Sequence, residues 1–152
     1  MTNIAFIQSC WHKDIVDQFR LSFLQHTEAL SPMVEVIEAP GVVEIPLLTK
    51  LAAQTARFDA VVVAGLIVDH GVYRHEFVAQ SVMDQIMKIQ VDLEVPVIYG
   101  ILTAQDFVSE GREAFFFEHF KVKGMEAANA CRKTLENIAQ LKCDQSRARA
   151  VS

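Results

Sequence analysis

The regular alternation of two segment types constrains this chain more than any other feature of its sequence. Four short runs, Asn3–Ser9, Val34–Ala39, Asp59–Gly65 and Pro96–Leu102, are dominated by β-branched and other apolar residues. Three are almost continuously apolar, the pattern of strands covered on both faces. The second alternates, with Val34, Val36 and Glu38 set against Glu35 and Ile37, which suits an edge strand. Helical stripes lie between and after these runs. His12–Glu28 carries Ile15, Phe19 and Phe23; Glu44–Arg57 carries Leu47, Leu48 and Leu51 behind Pro46 in its first turn. Glu76–Leu93 carries Val78, Val82, Ile86 and Ile89, and Gly124–Leu141 carries Met125, Ala128, Cys131 and Leu135. Each stripe predicts a core face. Strand–helix alternation over four units predicts an α/β fold, a three-layer α/β/α sandwich around a four-stranded parallel sheet with right-handed crossovers. Such a sheet binds ligands at the carboxyl ends of its strands. That rule selects Ser9–His12, Pro40–Glu44, Gly65–His75 and the segment from Thr103 onward.

Size and composition narrow the class further. At 152 residues the chain supports one domain, placed at 1–143, followed by a polar tail at 144–152 that is expected to fray. A hydrophobic fraction of 51% excludes intrinsic disorder. Fourteen Lys and Arg against nineteen Asp and Glu leave a net charge of −5, which argues against sequence-independent nucleic-acid binding. The longest apolar run, 60–68, is far short of the roughly 20 residues of a membrane helix, and Met1-Thr2-Asn3 has no basic start of a signal peptide. Cys10, Cys131 and Cys143 are an odd set without metal or disulfide spacing. The expectation is a soluble, cytoplasmic domain that uses no metal.

Several residues in the selected segments can carry chemistry. Trp11, the single tryptophan, follows the first strand. There a planar ring serves either as a stacking platform for a heteroaromatic ligand or as a staple on the first helix. In Ala39–Pro46, Gly41 permits close backbone approach and Glu44 sits near the positive end of a helix. No GxGxxG or GxxxxGK[ST] pattern occurs, which argues against dinucleotide and nucleoside-triphosphate enzymes. Asp69, His70, Tyr73, Arg74, His75 and Glu76 crowd the predicted mouth of the site, suited to proton transfer or, as an alternative, to an ion-paired helix start. His119, Lys121 and Lys123 precede Gly124, where the last helix is predicted to begin. They offer cations beside free N–H groups for a phosphate, or simply form a solvated loop. Phe115, Phe116, Phe117 and Phe120 are too apolar for a solvent-facing segment and predict a buried subunit interface.

In this order, the segments resemble the lumazine synthase family of riboflavin biosynthesis, over nearly the whole chain from Ile4 to Leu141. Trp11 matches an aromatic residue after the first strand, where most members carry Phe. Ala39–Pro46 is similar to the V-P-G-[AS]-[FY/W]-E-[IL]-P element. Gly65–Arg74 matches G-x-V-I-x-G-x-T-x-H without gaps, Pro96–Thr103 matches P-V-x-[FY]-G-[IV]-L-T, and Val122–Ala128 is similar to N-K-G-x-E-A-A. The resemblance implies a flavodoxin-like fold and a transferase without metal or organic cofactor. The reaction implied is condensation of 5-amino-6-(D-ribitylamino)uracil with 3,4-dihydroxy-2-butanone 4-phosphate to 6,7-dimethyl-8-ribityllumazine. It further implies a homo-oligomer built from pentamers, with sites between subunits. Carried over by residue, Trp11 would stack on the pyrimidine, and Val42, Val43 and Glu44 would meet the ribityl chain. Leu66, Ile67 and Val68 would bind the pyrimidine through their main chain, while Gly71 and Val72 would hold the phosphate. Tyr99 would reach in from the neighbouring subunit, and Lys123 would stand on the phosphate side.

Two departures bear on mechanism. Arg74 stands where most members have the proton-transferring His, with His75 next to it, and a guanidinium cannot act as a base near neutral pH. The segment before Lys123 is also shorter than usual, leaving His119 as the counterpart of the family's phosphate-binding Arg. Both features resemble the branch that forms decamers from two pentamers. Arg74 is then expected to orient the phosphate ester and steady the leaving phosphate. Protons would pass to His75, to water or to the phosphate itself. The loss is tolerable: acid–base help gives about 10²–10⁴-fold, whereas orienting two reactants supplies effective molarities of about 10⁵–10⁸ M. Two other readings remain open. One is a non-catalytic flavin- or lumazine-binding protein that kept the pocket; the other is a mononucleotide binder sharing only the flavodoxin-like fold.

Overall fold

The computed structural model describes residues 1–151. Its elements are β1 (Asn3–Ser9), α1 (Lys13–His26), β2 (Met33–Ala39), α2 (Ile45–Gln54), β3 (Ala60–Val68), α3 (His75–Leu93), β4 (Val97–Ala104) and α4 (Arg112–Val151). The strands form one parallel sheet in the order β2-β1-β3-β4, so β2 lies at an edge, as its alternating pattern predicts. Side chains alternate across the sheet because successive residues of a strand point to opposite faces. Ile4, Phe6, Val62 and Ala64 pack with Phe19 and Phe23 of α1 and Phe120 of α4. Ala5, Ile7, Val61 and Val63 pack with Ile45 of α2 and with Val82 and Ile86 of α3. Two dry cores on either side of one sheet make the three-layer sandwich.

The boundaries differ from the sequence reading in two informative places. β3 continues past Gly65 to Val68 because Leu66, Ile67 and Val68 pair with Leu102, Thr103 and Ala104 of β4. The ladder overrides the tendency of glycine to end a strand. More consequentially, the last helix begins at Arg112 rather than Gly124 and runs 40 residues, about 60 Å. Its buried stripe is Phe116, Phe120, Gly124, Ala127, Ala128 and Cys131, one helical face throughout. Phe116 and Phe120 therefore belong to the chain's own core. Only Phe115 of that cluster is exposed, with Phe117 partly buried, so the expected all-phenylalanine interface is corrected to a core stripe with an exposed flank. Asp144–Val151 also continues α4 as exposed helix where a frayed tail was expected, supported by Gln140–Asp144 and Arg147–Asp144 contacts along the helix. Ser152 lies outside the described residues.

Two glycines set how tightly the layers close on Phe19, which is 1% exposed. A Cβ at Gly100 would lie 2.4 Å from Phe19 Cζ, and one at Gly124 would lie 2.3 Å from the Phe19 carbonyl oxygen. The α1–α4 contact is fastened by the Ser22 hydroxyl, which donates to the Lys121 carbonyl at 2.5 Å. Gly124 is thus a contact point inside a helix, where a glycine costs roughly 1 kcal/mol of propensity in exchange for close approach. Gly124→Ala drives a Cβ against the Phe19 carbonyl and is expected to lower stability by about 1–3 kcal/mol. Urea denaturation reads this directly, and an unchanged midpoint would show that α4 can shift away without loss.

Candidate active site

The chain winds from β1 to β2 in one direction and then crosses back to β3 on the other side. The loops after β1 and β3 consequently part, and a crevice opens at the carboxyl end of the sheet. A cavity of about 410 Å³ occupies it. Trp11 and His12 line it after β1, Pro40 to Glu44 after β2, and Leu66, Ile67, Val68 and His70 at the end of β3, with Val78 of α3 at its side. Gly65 makes this convergence possible: a Cβ there would lie 2.8 Å from both Ser9 Oγ and Val42 Cγ1. The short 3-10 turn Val42–Glu44 can therefore settle directly on β3. The Gly41 N–H donates to Glu44 Oε2 at 2.9 Å, which fixes the turn and holds the carboxylate at the cavity rim.

Trp11 is 66% exposed, its indole resting beside Gly41, so most of the ring is free for a ligand. His12 takes the left-handed conformation (φ 50°), which for a non-glycine residue costs about 1–2 kcal/mol. Its carbonyl accepts from the Ile15 and Val16 N–H groups and starts α1. Behind this turn lies a polar network. Fully buried Gln8 donates to Asp17 at 2.8 Å and accepts from Arg20 at 2.7 Å, while Lys13 pairs with Asp17 at 2.9 Å and with Glu38 at 3.2 Å. Burial acts to raise the Asp17 carboxyl, but the hydrogen bonds from Lys13 and Gln8 and the charge of Arg20 outweigh it and hold it below the usual carboxylate value. Asp17 therefore stays charged and ties the start of α1 to β1, which fixes where Trp11 and His12 stand.

Of the residues singled out from sequence, Trp11, Gly41, Val42, Val43, Glu44, Leu66, Ile67, Val68 and His70 meet in this one cavity. The others do not join it. Gly71, Val72 and Arg74 lie on an exposed loop outside the lining, with Val72 73% exposed. The Gly71 N–H donates to Asp69 Oδ1 at 2.7 Å. His75 opens α3 with its Nδ1 3.6 Å from Glu76 and 4.0 Å from Asp69, facing carboxylates rather than the cavity. His119 lies within α4, stacked on Phe115 at 5.3 Å, and Lys123 pairs with Glu126 at 2.6 Å. Interior helix N–H groups are already bonded, so the anion site expected at a helix start there is corrected: no helix starts at Gly124. Tyr99 and Lys123 do share a second groove of about 360 Å³ along the β4 edge. Burial raises the Tyr99 phenol above its usual value, so it remains a hydrogen-bond donor.

His12 is a cavity residue that motif reading passed over, and His70, one of the titratable residues crowded after the third strand, joins it there. His12 directly follows Trp11, and in the ungapped segment match His70 occupies the second glycine position, a substitution that could have marked it. Their rings face each other with centroids 6.3 Å apart, and His12 packs edge-on against Phe107 at 4.8 Å. An apolar slot with strand-end main chain, one indole, one carboxylate and two imidazoles suits a planar heterocycle carrying a hydroxylated chain.

Comparison with known proteins identifies a family over nearly the whole chain. The family model for 6,7-dimethyl-8-ribityllumazine synthase matches residues 1–139. A 6,7-dimethyl-8-ribityllumazine synthase 2 from Bradyrhizobium diazoefficiens is 45% identical, the match covering 91% of this chain and 86% of that protein. A protein of the same description from Pseudomonas syringae pv. tomato is 46% identical over 91% of this chain and 84% of its own length. A 6,7-dimethyl-8-ribityllumazine synthase from Rhodococcus erythropolis is 42% identical over 91% of this chain and 92% of its own. With the family model matching residues 1–139 and these identities over most of its length, the chain belongs to the 6,7-dimethyl-8-ribityllumazine synthase family.

Proposed function

We propose that this protein is a cytoplasmic enzyme of riboflavin biosynthesis. It condenses 5-amino-6-(D-ribitylamino)uracil with 3,4-dihydroxy-2-butanone 4-phosphate to 6,7-dimethyl-8-ribityllumazine, releasing phosphate and water. The observation that carries this reading is the convergence of Trp11, the 40–44 turn and Leu66–Val68 on one cavity at the switch point of the sheet. The indole stacks on the pyrimidine, the main chain of Leu66–Val68 reads its edge, and Glu44 accepts hydrogen bonds from the ribityl hydroxyls. The 5-amino group attacks the ketone carbonyl and loses water to give an imine. Phosphate then departs by elimination, and the ribitylamino nitrogen closes the ring with loss of a second water. Both reactants are reactive in themselves, so holding them together supplies most of the acceleration.

Arg74, exposed at the rim, clamps the phosphate ester with its fork of donors. A phosphate binding at Gly71 and Val72 takes over the N–H that Asp69 now holds, and His75 between Asp69 and Glu76 keeps the displaced carboxylate nearby. A second copy of the chain completes the site. Val43, Leu47, Leu51, Val72 and Phe77 are each more than half exposed around α2, α3 and the loop, an apolar surface that calls for cover. Tyr99 and Lys123 sit on the β4 edge, away from the cavity. A head-to-tail ring joins these two unlike surfaces, bringing the neighbour's β4 edge to each cavity, and closes at five subunits, with two rings face to face.

Mixing the protein with both substrates is expected to produce the absorbance and fluorescence of the lumazine. Tight binding of the pyrimidine with no product would instead favour a protein that kept the pocket and lost the chemistry. Trp11→Ala is expected to weaken pyrimidine binding by about 1–3 kcal/mol, the scale of one stacked base, and unchanged affinity in the folded variant would return the indole to a structural role. Light scattering is expected to give roughly 170 kDa, ten chains of 17.0 kDa. A stable monomer that turns over substrate would rule out the shared site.

A further inference from the structure

We propose that His12 and His70 act as a pair that carries the proton transfers of this site. The proposal rests on the condensation reading above and assigns a step that Arg74 and His75 leave unfilled. Arg74 cannot take a proton near neutral pH, and His75 is turned to Asp69 and Glu76 outside the cavity. His12 and His70, by contrast, both line the 410 Å³ cavity and both line a neighbouring cleft of about 820 Å³. They form the wall between the two spaces. Their rings are tilted by only 27° at 6.3 Å between centroids, so both stand at the same wall of the cavity.

The position of His12 is held rather than incidental. The left-handed backbone of His12 and the two N–H groups bonded to its carbonyl fix its Cα, and the edge of Phe107 at 4.8 Å limits its ring. His70 stands two residues beyond the end of β3, whose last residues line the same cavity. The charged groups sharing the two spaces are Glu44 from the β2 side and Glu110 and Glu113 from the opposite wall. All three are carboxylates, so among the described residues no cation lines either space beside the pair.

The step needing such a pair is the elimination. In the imine, the carbon bearing the hydroxyl group next to C=N gives up its proton to the neutral imidazole. The electron pair of that C–H bond forms a C=C bond, and the adjacent C–O bond breaks with its electrons leaving on phosphate. The protonated imidazole of the pair gives its proton to the departing phosphate, so one proton is taken and one returned. The carbon product is an enol that tautomerises to the ketone used in ring closure. No oxidant, reductant or further reactant is required.

The test compares wild-type protein with the double variant His12→Asn/His70→Gln, in which asparagine tolerates the left-handed backbone. Turnover is followed by lumazine formation from pH 5 to 8, and pyrimidine binding by Trp11 fluorescence. The expected result is a fall in kcat of about 100-fold with binding retained and the pH dependence of kcat flattened over that range. A fall in kcat of less than about tenfold, a change confined to KM, or an unaltered pH profile would overturn the proposal. Should the double variant not fold, each single variant is judged by the same three measures. Wild-type protein that makes no lumazine overturns the condensation reading and this proposal with it, a failure distinct from active wild type beside an equally active variant.

Discussion

Parallel pairing of β1 with strands on both sides of it is the constraint from which the rest of this structure follows. A parallel neighbour cannot be reached by a tight hairpin, so each connection must carry a helix across a face of the sheet. Reversing the winding direction after β2 sends α1 to one face and α2 to the other. The loops after β1 and β3 then diverge, and the crevice between them is a geometric result before any side chain is chosen. Trp11, His12, Leu66–Val68 and His70 occupy it because they lie immediately past those two strand ends.

Close approach of backbone to backbone then sets the shape of that crevice. Gly65 admits the 40–44 turn onto β3, and Gly100 and Gly124 let the sheet and α4 close on Phe19 from opposite sides. Together with the charged Gln8–Asp17–Arg20–Lys13 network, these contacts make the floor and back wall rigid. The rim is different in character. The Asp69–Arg74 loop is exposed and held by local bonds such as the Gly71–Asp69 turn, so it can rearrange around an anion without disturbing the core. In the proposed reaction, binding of the heterocycle falls to fixed elements and handling of the phosphate to an exposed loop.

Incompleteness is part of the design. Tyr99 and Lys123 share a groove on the sheet's β4 edge, whereas the cavity opens at the carboxyl ends of β1, β2 and β3. One chain does not bring them together, and the proposed ring of identical chains is what would do so. The exposed apolar side chains of α2 and α3 are the surface on which that proposed assembly depends.

The sequence by itself determined the layer architecture, the edge position of β2 and the cavity residues that follow strand ends, because periodicity and the carboxyl-end rule are local properties of the chain. It misplaced the start of α4. Gly124 reads locally as a helix breaker, and only packing against the Phe19 carbonyl turns it into an interior contact that carries one helix from Arg112 to Val151. His119 and Lys123 accordingly lost their expected place at a helix start. Likewise Gly65 ended a strand on paper, while pairing with β4 extended it to Val68 and moved the site loop three residues on. The orientation of His75 toward Asp69 and Glu76, and of His12 and His70 toward each other, was decided by tertiary structure alone. Ring direction in a loop depends on which neighbours the rest of the fold delivers, and spacing along the chain carries no record of that.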